Sequence, residues 1–225
     1  MESTTPYLIC FGDSLTAGYQ AEPEGLGPNV DTPPGSFIQQ WVGTRAYIEV
    51  TGICGEVTGE MVKRFHRDVI VRRPKFVVIL GGTNDLGWGV APDEICANLQ
   101  TMYGLALEAS IHPVGVTVPS ICIDDADPNG GSSGDNRSFR VMPDWALAHI
   151  SQRLVLNRKI EEACQALHIT CLDLFTLTAK GPDHRLASQL SSDGLHLNTP
   201  GYETFGRLIW ENLLAETFNG GHSTV

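Results

Sequence analysis

The chain has 225 residues, 42% of them hydrophobic, which is enough for a sizeable core and argues against wholesale disorder. Its 15 basic and 26 acidic side chains leave a formal net charge of −11, which repels phosphate backbones and excludes nucleic acid as an expected partner. No membrane span is expected, since runs such as FVVIL are far too short to cross a bilayer.

The predicted elements alternate along the chain. YLICF (7–11) reads as a strand, and residues 20–35, rich in Gly, Pro and acids, as a loop. Residues 36–45 have helical spacing, and YIEVTG (47–52) alternates as a strand does. Residues 59–70 put Met61, Val62, Phe65, Val69 and Ile70 on one helical face. FVVIL (76–80) is a continuous β-branched run, as expected of a central parallel strand. A helix over 93–109, a strand over 113–119, a polar loop over 124–138, a long helix over 143–167 and a strand within 169–175 follow. Thr199-Pro200 opens a last helix that runs through Leu213, and the tail 219–225 is expected to fray. Five strands alternating with helices predict one α/β domain over 1–225, built on a doubly wound parallel sheet. Ligands of such sheets bind beyond the carboxyl ends of the strands, where residues 12–15, 53–59, 81–85 and 119–142 should collect.

Four blocks stand out. The first strand runs into Gly12-Asp13-Ser14-Leu15, the second into Gly52-Ile53-Cys54-Gly55-Glu56, and the third into Gly81-Gly82-Thr83-Asn84-Asp85. Asp193-Gly194-Leu195-His196-Leu197-Asn198 lies near the C-terminus. Each alone could be a plain turn. Together they hold what acyl transfer needs: a nucleophile, a base, an acid to orient it, and oxyanion donors. Ser14 offers a hydroxyl at a strand end and His196 a base that titrates near neutrality. Asp193, three residues earlier, reaches the histidine if the two share a helical turn. Asn84 offers a side-chain N–H, and Gly55 and Ser14 offer backbone N–H groups.

These blocks resemble the GDSL, or SGNH, hydrolases across about 190 residues, from Phe11 to Gly201; FGDSLTAGY, GGTND and DGLHLN are close to the family forms. The resemblance implies a three-layer flavodoxin-like sandwich around a five-stranded parallel sheet. It also implies a triad of Ser14, Asp193 and His196, and an oxyanion hole of Ser14, Gly55 and Asn84. The activity implied is hydrolysis of carboxylic esters, above all short-chain acyl esters, or of thioesters, lysophospholipids or acetylated sugars, with no metal or other cofactor. Members often carry Asn two residues before the first glycine of the second block, where this chain has Val50, and glycines at 52 and 59 compete with Gly55 as donor. Trp88, just past Asn84, either walls an acyl pocket or caps its loop. Cys54 lines the pocket or is a small packing residue.

Several readings compete. GGSSG (130–134) matches a serine-elbow pattern but sits in a polar loop with no strand before it. Asp125-Ala-Asp127-Pro-Asn129-Gly130 starts like a calcium loop, but its twelfth position is Asn136 rather than Glu. Asn136-Arg137-Ser138 is a glycosylation sequon. His66, His112, His149, His168, His184 and His222 are expected to be surface or structural. A metal hydrolase built on Asp13, Asp85, Asp193 and His196, and a non-catalytic binding protein of the same fold, are the alternatives from other classes. No leader is visible in MESTTPY. The cysteines at 10, 54, 96, 122, 164 and 171 form no CxxC pair, so a cytoplasmic protein with reduced, mostly buried thiols is expected. A small-molecule ester is the expected partner, and the chain is expected as a monomer or weak homo-oligomer.

Overall fold

The computed structural model describes residues 5–21, 33–122 and 144–219. The loop at 124–138, with its GGSSG, calcium-like and sequon patterns, lies outside the described residues, as do most of the 20–35 loop and the tail beyond Asn219.

In chain order the first half comprises β1 (Leu8–Gly12), α1 (Ser14–Ala17), α2 (Pro34–Val42), β2 (Ile48–Gly52), α3 (Thr58–Phe65), β3 (Phe76–Leu80), α4 (Thr83–Gly87) and α5 (Pro92–Glu108). The second half comprises β4 (His112–Val116), α6 (Asp144–Leu167), β5 (Thr170–Leu172), α7 (Leu174–Thr178), β6 (Ala179–Lys180), β7 (Arg185–Leu186), α8 (Thr199–Ile209) and α9 (Ala215–Asn219). The first five strands form one parallel sheet in the order β2-β1-β3-β4-β5, which is the flavodoxin-like order. Helices cover both faces: α2 packs on α8, and α3, α5 and α6 pack in series on the other side. β1 is buried at every position, which explains its uninterrupted apolar run. Among the described residues no helix is long and apolar enough to cross a membrane.

The elements follow the sequence pattern closely, and the departures have local causes. α2 starts at Pro34, where proline's missing N–H costs nothing, and gives way at Gly43 to a 3-10 turn. α3 and α8 each continue through a π-helical turn, at His66–Ile70 and Trp210–Leu214. β4 ends at Val116 rather than at Pro119: the Thr117 N–H still donates to the Leu172 carbonyl of β5 (3.0 Å), but the backbone groups after it bond to side chains instead of a strand. Asn157 binds both the N–H and the C=O of Val118 (2.7 and 3.0 Å), and Arg153 Nε donates to the carbonyl of Pro119 (3.0 Å). In ITCLDLF only Thr170–Leu172 pair as strand. Asp173 then caps α7 by accepting the N–H of Thr176 at 2.9 Å. The antiparallel β6–β7 hairpin, two residues a side, is too short to show a period.

Arg64 ties the site edge of the sheet together. Its guanidinium donates to the carbonyls of Gly12 at the end of β1 and Thr51 near the end of β2, both at 2.9 Å. It also pairs with the buried Glu56 carboxylate (2.6 Å) and with Asp68 (3.1 Å), and it lies over the Phe11 ring at 4.1 Å. Arg64→Met keeps most of the volume but strands the Glu56 charge and two strand-end carbonyls. Its expected cost is about 3–5 kcal/mol in urea denaturation; a loss below about 1 kcal/mol contradicts this role.

Candidate active site

Gly12 is the last residue of β1 and Ser14 the first of α1, so the chain turns from strand to helix through a single residue. That residue is Asp13, which caps α1 by accepting the Leu15 N–H at 2.9 Å. A Cβ on Gly12 would collide with the carbonyl oxygen of Leu80 on β3 and with Thr16 Oγ1. Glycine is needed there to let β3 and α1 approach. Ser14 is buried, and its Oγ lies 3.1 Å from His196 Nε2. The ring of Tyr19, from the same GDSLTAGY stretch, packs on the imidazole with centroids 4.4 Å apart.

His196 Nδ1 lies 2.7 Å from Asp193 Oδ2. The two residues do not share a helical turn, as the spacing suggested; they sit in a tight loop closed by a bridge between Ser191 and Leu197. Asp193 divides its oxygens: Oδ1 accepts the N–H groups of Leu195 (2.9 Å) and His196 (2.7 Å), leaving Oδ2 for the ring. Burial raises the Asp193 carboxyl, but these hydrogen bonds and the imidazole outweigh it and bring it down to about 2. It therefore stays ionised throughout the neutral range, and its anchoring of the ring is lost only as pH falls toward 2.

The third block works as a clamp. Asn84 Nδ2 donates to the carbonyl of Glu56 at 3.0 Å. The next residue, Asp85, accepts the backbone N–H of Thr58 with both oxygens (3.0 Å each) and the Thr58 hydroxyl at 2.5 Å. Together they fix residues 56–58 and so the turn that carries Gly55, whose φ of +79° lies in the region glycine favours. The same turn is joined to β1, since the Ile53 N–H donates to the Gly12 carbonyl at 3.0 Å. Ser14, the Gly55 turn, Asn84 and the Asp193–His196 pair thus meet at the carboxyl edge of one sheet. Among the described residues no group of three or more His, Cys, Asp or Glu side chains could hold a metal ion.

Residues 10–204 match the GDSL-like lipase/acylhydrolase family. The chain belongs to that family. It is a carboxylic ester hydrolase with an α/β fold. No curated protein matches its sequence. Among solved structures, a GDSL-like lipase from Bacteroides thetaiotaomicron is 23% identical with a TM-score of 0.68, over 91% of this chain and 85% of that one. The lipase/acylhydrolase from Enterococcus faecalis is 22% identical with a TM-score of 0.69, covering 92% and 95%. A carbohydrate acetylesterase from Sinorhizobium meliloti is 17% identical with a TM-score of 0.69, covering 93% and 99%. These likenesses are likenesses of fold.

Beside Asn84 this GDSL-like hydrolase has a cavity of about 330 Å³, walled by Trp88, Ile121, Trp145 and Leu195, with His149 and Arg153 among its polar lining. Trp88 lines it while remaining 80% exposed, and so stands at its mouth. Cys54 does not line this cavity, and it is exposed rather than packed, unlike buried Cys10, Cys96 and Cys164. His149, expected to be surface or structural, is instead a cavity residue. The signal was present in WALAHISQR, which places Trp145, His149 and Arg153 at i, i+4 and i+8 on one face of α6. Asp85, named in the sequence only as a metal-ligand alternative, is the clamp described above.

Asp13 is fully buried, and burial pushes its carboxyl up to about 7, although the Leu15 N–H and His196 pull it down. The folded chain therefore holds this proton more tightly than an unfolded one, whose carboxyl titrates near about 4, and stability falls as pH rises from about 4 to 7. Asp13→Asn keeps an acceptor for the Leu15 N–H and removes that penalty. Urea denaturation should show the variant gaining on the wild type between pH 4.5 and 7; a gap independent of pH contradicts the burial account.

Proposed function

We propose that Ser14, His196 and Asp193 are the nucleophile, base and orienting acid of a short-chain ester hydrolase. The N–H groups of Ser14 and Gly55 and the side chain of Asn84 are its oxyanion donors. The observation that carries this reading is the unbroken relay from Ser14 Oγ to His196 Nε2 (3.1 Å) and from Nδ1 to Asp193 Oδ2 (2.7 Å). Ser14 Oγ attacks the ester carbon as His196 Nε2 takes its proton. The carbonyl oxygen becomes an oxyanion facing the donors. Asn84 Nδ2 carries two protons; Glu56 O takes one, and the other serves the oxyanion. Collapse breaks the C–O bond, and the imidazolium protonates the departing alcohol. Water then attacks the acyl-serine, giving its proton to His196, and the acid leaves as Ser14 regains its proton.

Cavity size supports a short acyl group, since about 330 Å³ is at the small end of ligand pockets. A guanidinium in its lining also disfavours a long alkyl chain, so lysophospholipid and long-chain thioester readings have less support.

Ser14→Ala should lower kcat for p-nitrophenyl acetate by about 10⁴-fold or more with the far-ultraviolet circular dichroism unchanged. Unchanged turnover removes the triad assignment and leaves a binding protein or another mechanism. Asn84→Ala should lower kcat by about 10²–10³-fold with a smaller effect on KM, and a change confined to KM argues against an oxyanion role. Across p-nitrophenyl esters, an acetylated sugar and a thioester, the optimum should fall at acetyl to butanoyl; a long-chain optimum contradicts the short-chain reading.

A further inference from the structure

The cavity beside Asn84 holds two polar groups that the proposed hydrolysis does not use. Exposure drops from Trp88 (80%) and Trp145 (48%) at the mouth to Arg153 (2%) at the base. Arg153 spends Nε on the carbonyl of Pro119 at 3.0 Å, and its Nη1 is buried with no hydrogen-bond partner. His149 also lines the cavity and has Nδ1 buried without a partner. A buried guanidinium with an unused donor is costly, and native proteins seldom leave one so.

Among the described residues no acid lines the cavity and no ion pair joins Arg153 to a carboxylate. Asp13 is near enough for its charge to act on Arg153, but it makes no hydrogen bond to it, and Asp13 Oδ2 is itself unpartnered. Burial raises Asp13 to about 7, so at neutral pH it supplies less than a full counter-charge. Burial lowers Arg153 to about 10, which still leaves it cationic. The cavity therefore presents a permanent cation behind aromatic walls, in a protein whose net charge is −11.

The cavity is bordered by Asn84 and not by His196. The leaving alcohol must face His196, which protonates it, so the cavity lies on the acyl side of the carbonyl. We infer that this cavity is an acyl subsite that selects esters whose short acyl chain ends in a carboxylate, held by Arg153 Nη1 and hydrogen-bonded by His149. The substrate class is the hemiester of a short dicarboxylic acid. A charged acceptor meets an otherwise unused charged donor, and the two tryptophans shield the pair from water.

The inference rests on the serine-esterase reading, and the test separates the two. Hydrolysis of monoethyl succinate and monoethyl glutarate is followed by proton release and compared with ethyl 4-methylpentanoate and ethyl 5-methylhexanoate, in which a branched alkyl end replaces the carboxylate. The hemiesters should show a kcat/KM about tenfold to a hundredfold higher. In Arg153→Gln, whose amide can still donate to the Pro119 carbonyl, that ratio should fall to one or below. Succinate should also inhibit the wild type competitively, with 4-methylpentanoate at least about tenfold weaker, so a poorly folded variant does not decide the matter. Equal or inverted ratios in the wild type, a ratio that survives Arg153→Gln, or weak succinate inhibition overturns the subsite while p-nitrophenyl acetate turnover keeps the esterase reading intact. Hemiesters left uncleaved by a protein that cleaves p-nitrophenyl acetate overturn it as well. Loss of p-nitrophenyl acetate turnover itself would fault the esterase reading instead.

Discussion

A parallel sheet runs out of backbone partners at the carboxyl ends of its strands, and the site is built from how this chain satisfies them. Each freed group would cost about 1–3 kcal/mol if buried and unpaired. Arg64 takes the carbonyls of Gly12 and Thr51, Asn157 takes both groups of Val118, and Arg153 takes the carbonyl of Pro119. These are buried polar side chains on α3 and α6, and each fixes a strand end against a helix. The site inherits its rigidity from them, because Ser14 lies two residues beyond the end of β1 and Gly55 three beyond the end of β2.

The same economy explains the pairing of residues within the motifs. Asn84 and Asp85 grip successive parts of one segment, Glu56 and Thr58, so the short helix α4 that carries the amide also positions the neighbouring turn. Asp193 uses one oxygen to shape its own loop and the other to hold the imidazole. Asp13, by contrast, is held in a short cap with one oxygen unpartnered, and its burial makes it a poorer anion than Asp193. Proximity in sequence to the serine therefore does not make it the orienting acid. Environment separates two carboxyls that share the field of His196.

Much of this was legible in the sequence. FVVIL named its strand to the residue, and the four blocks named Ser14, Asn84, Asp193 and His196, because strand-end turn chemistry and motif spacing are local properties. What escaped depended on contacts between distant segments. Asp85 reads as one more turn acid until Thr58 is seen above it. His149 and Arg153 read as the polar face of a long helix until α6 is laid across the end of β4. The strand reads too long at its carboxyl end because an alternating run looks the same whether the partner of Val118 is a strand or the side chain of Asn157. Asp193 and His196 meet at 2.7 Å, but through a bridged loop rather than the helical turn that their spacing suggests.

The central claim is that Ser14 carries the acyl group. The most direct measurement is reaction with a p-nitrophenyl phosphonate ester, following p-nitrophenolate release and then locating the adduct by peptide mass spectrometry. The account predicts one p-nitrophenolate per chain and the adduct on the peptide that contains Ser14. An adduct on another residue, such as exposed Cys54 or Ser132, or inactivation with Ser14 unmodified, would contradict it.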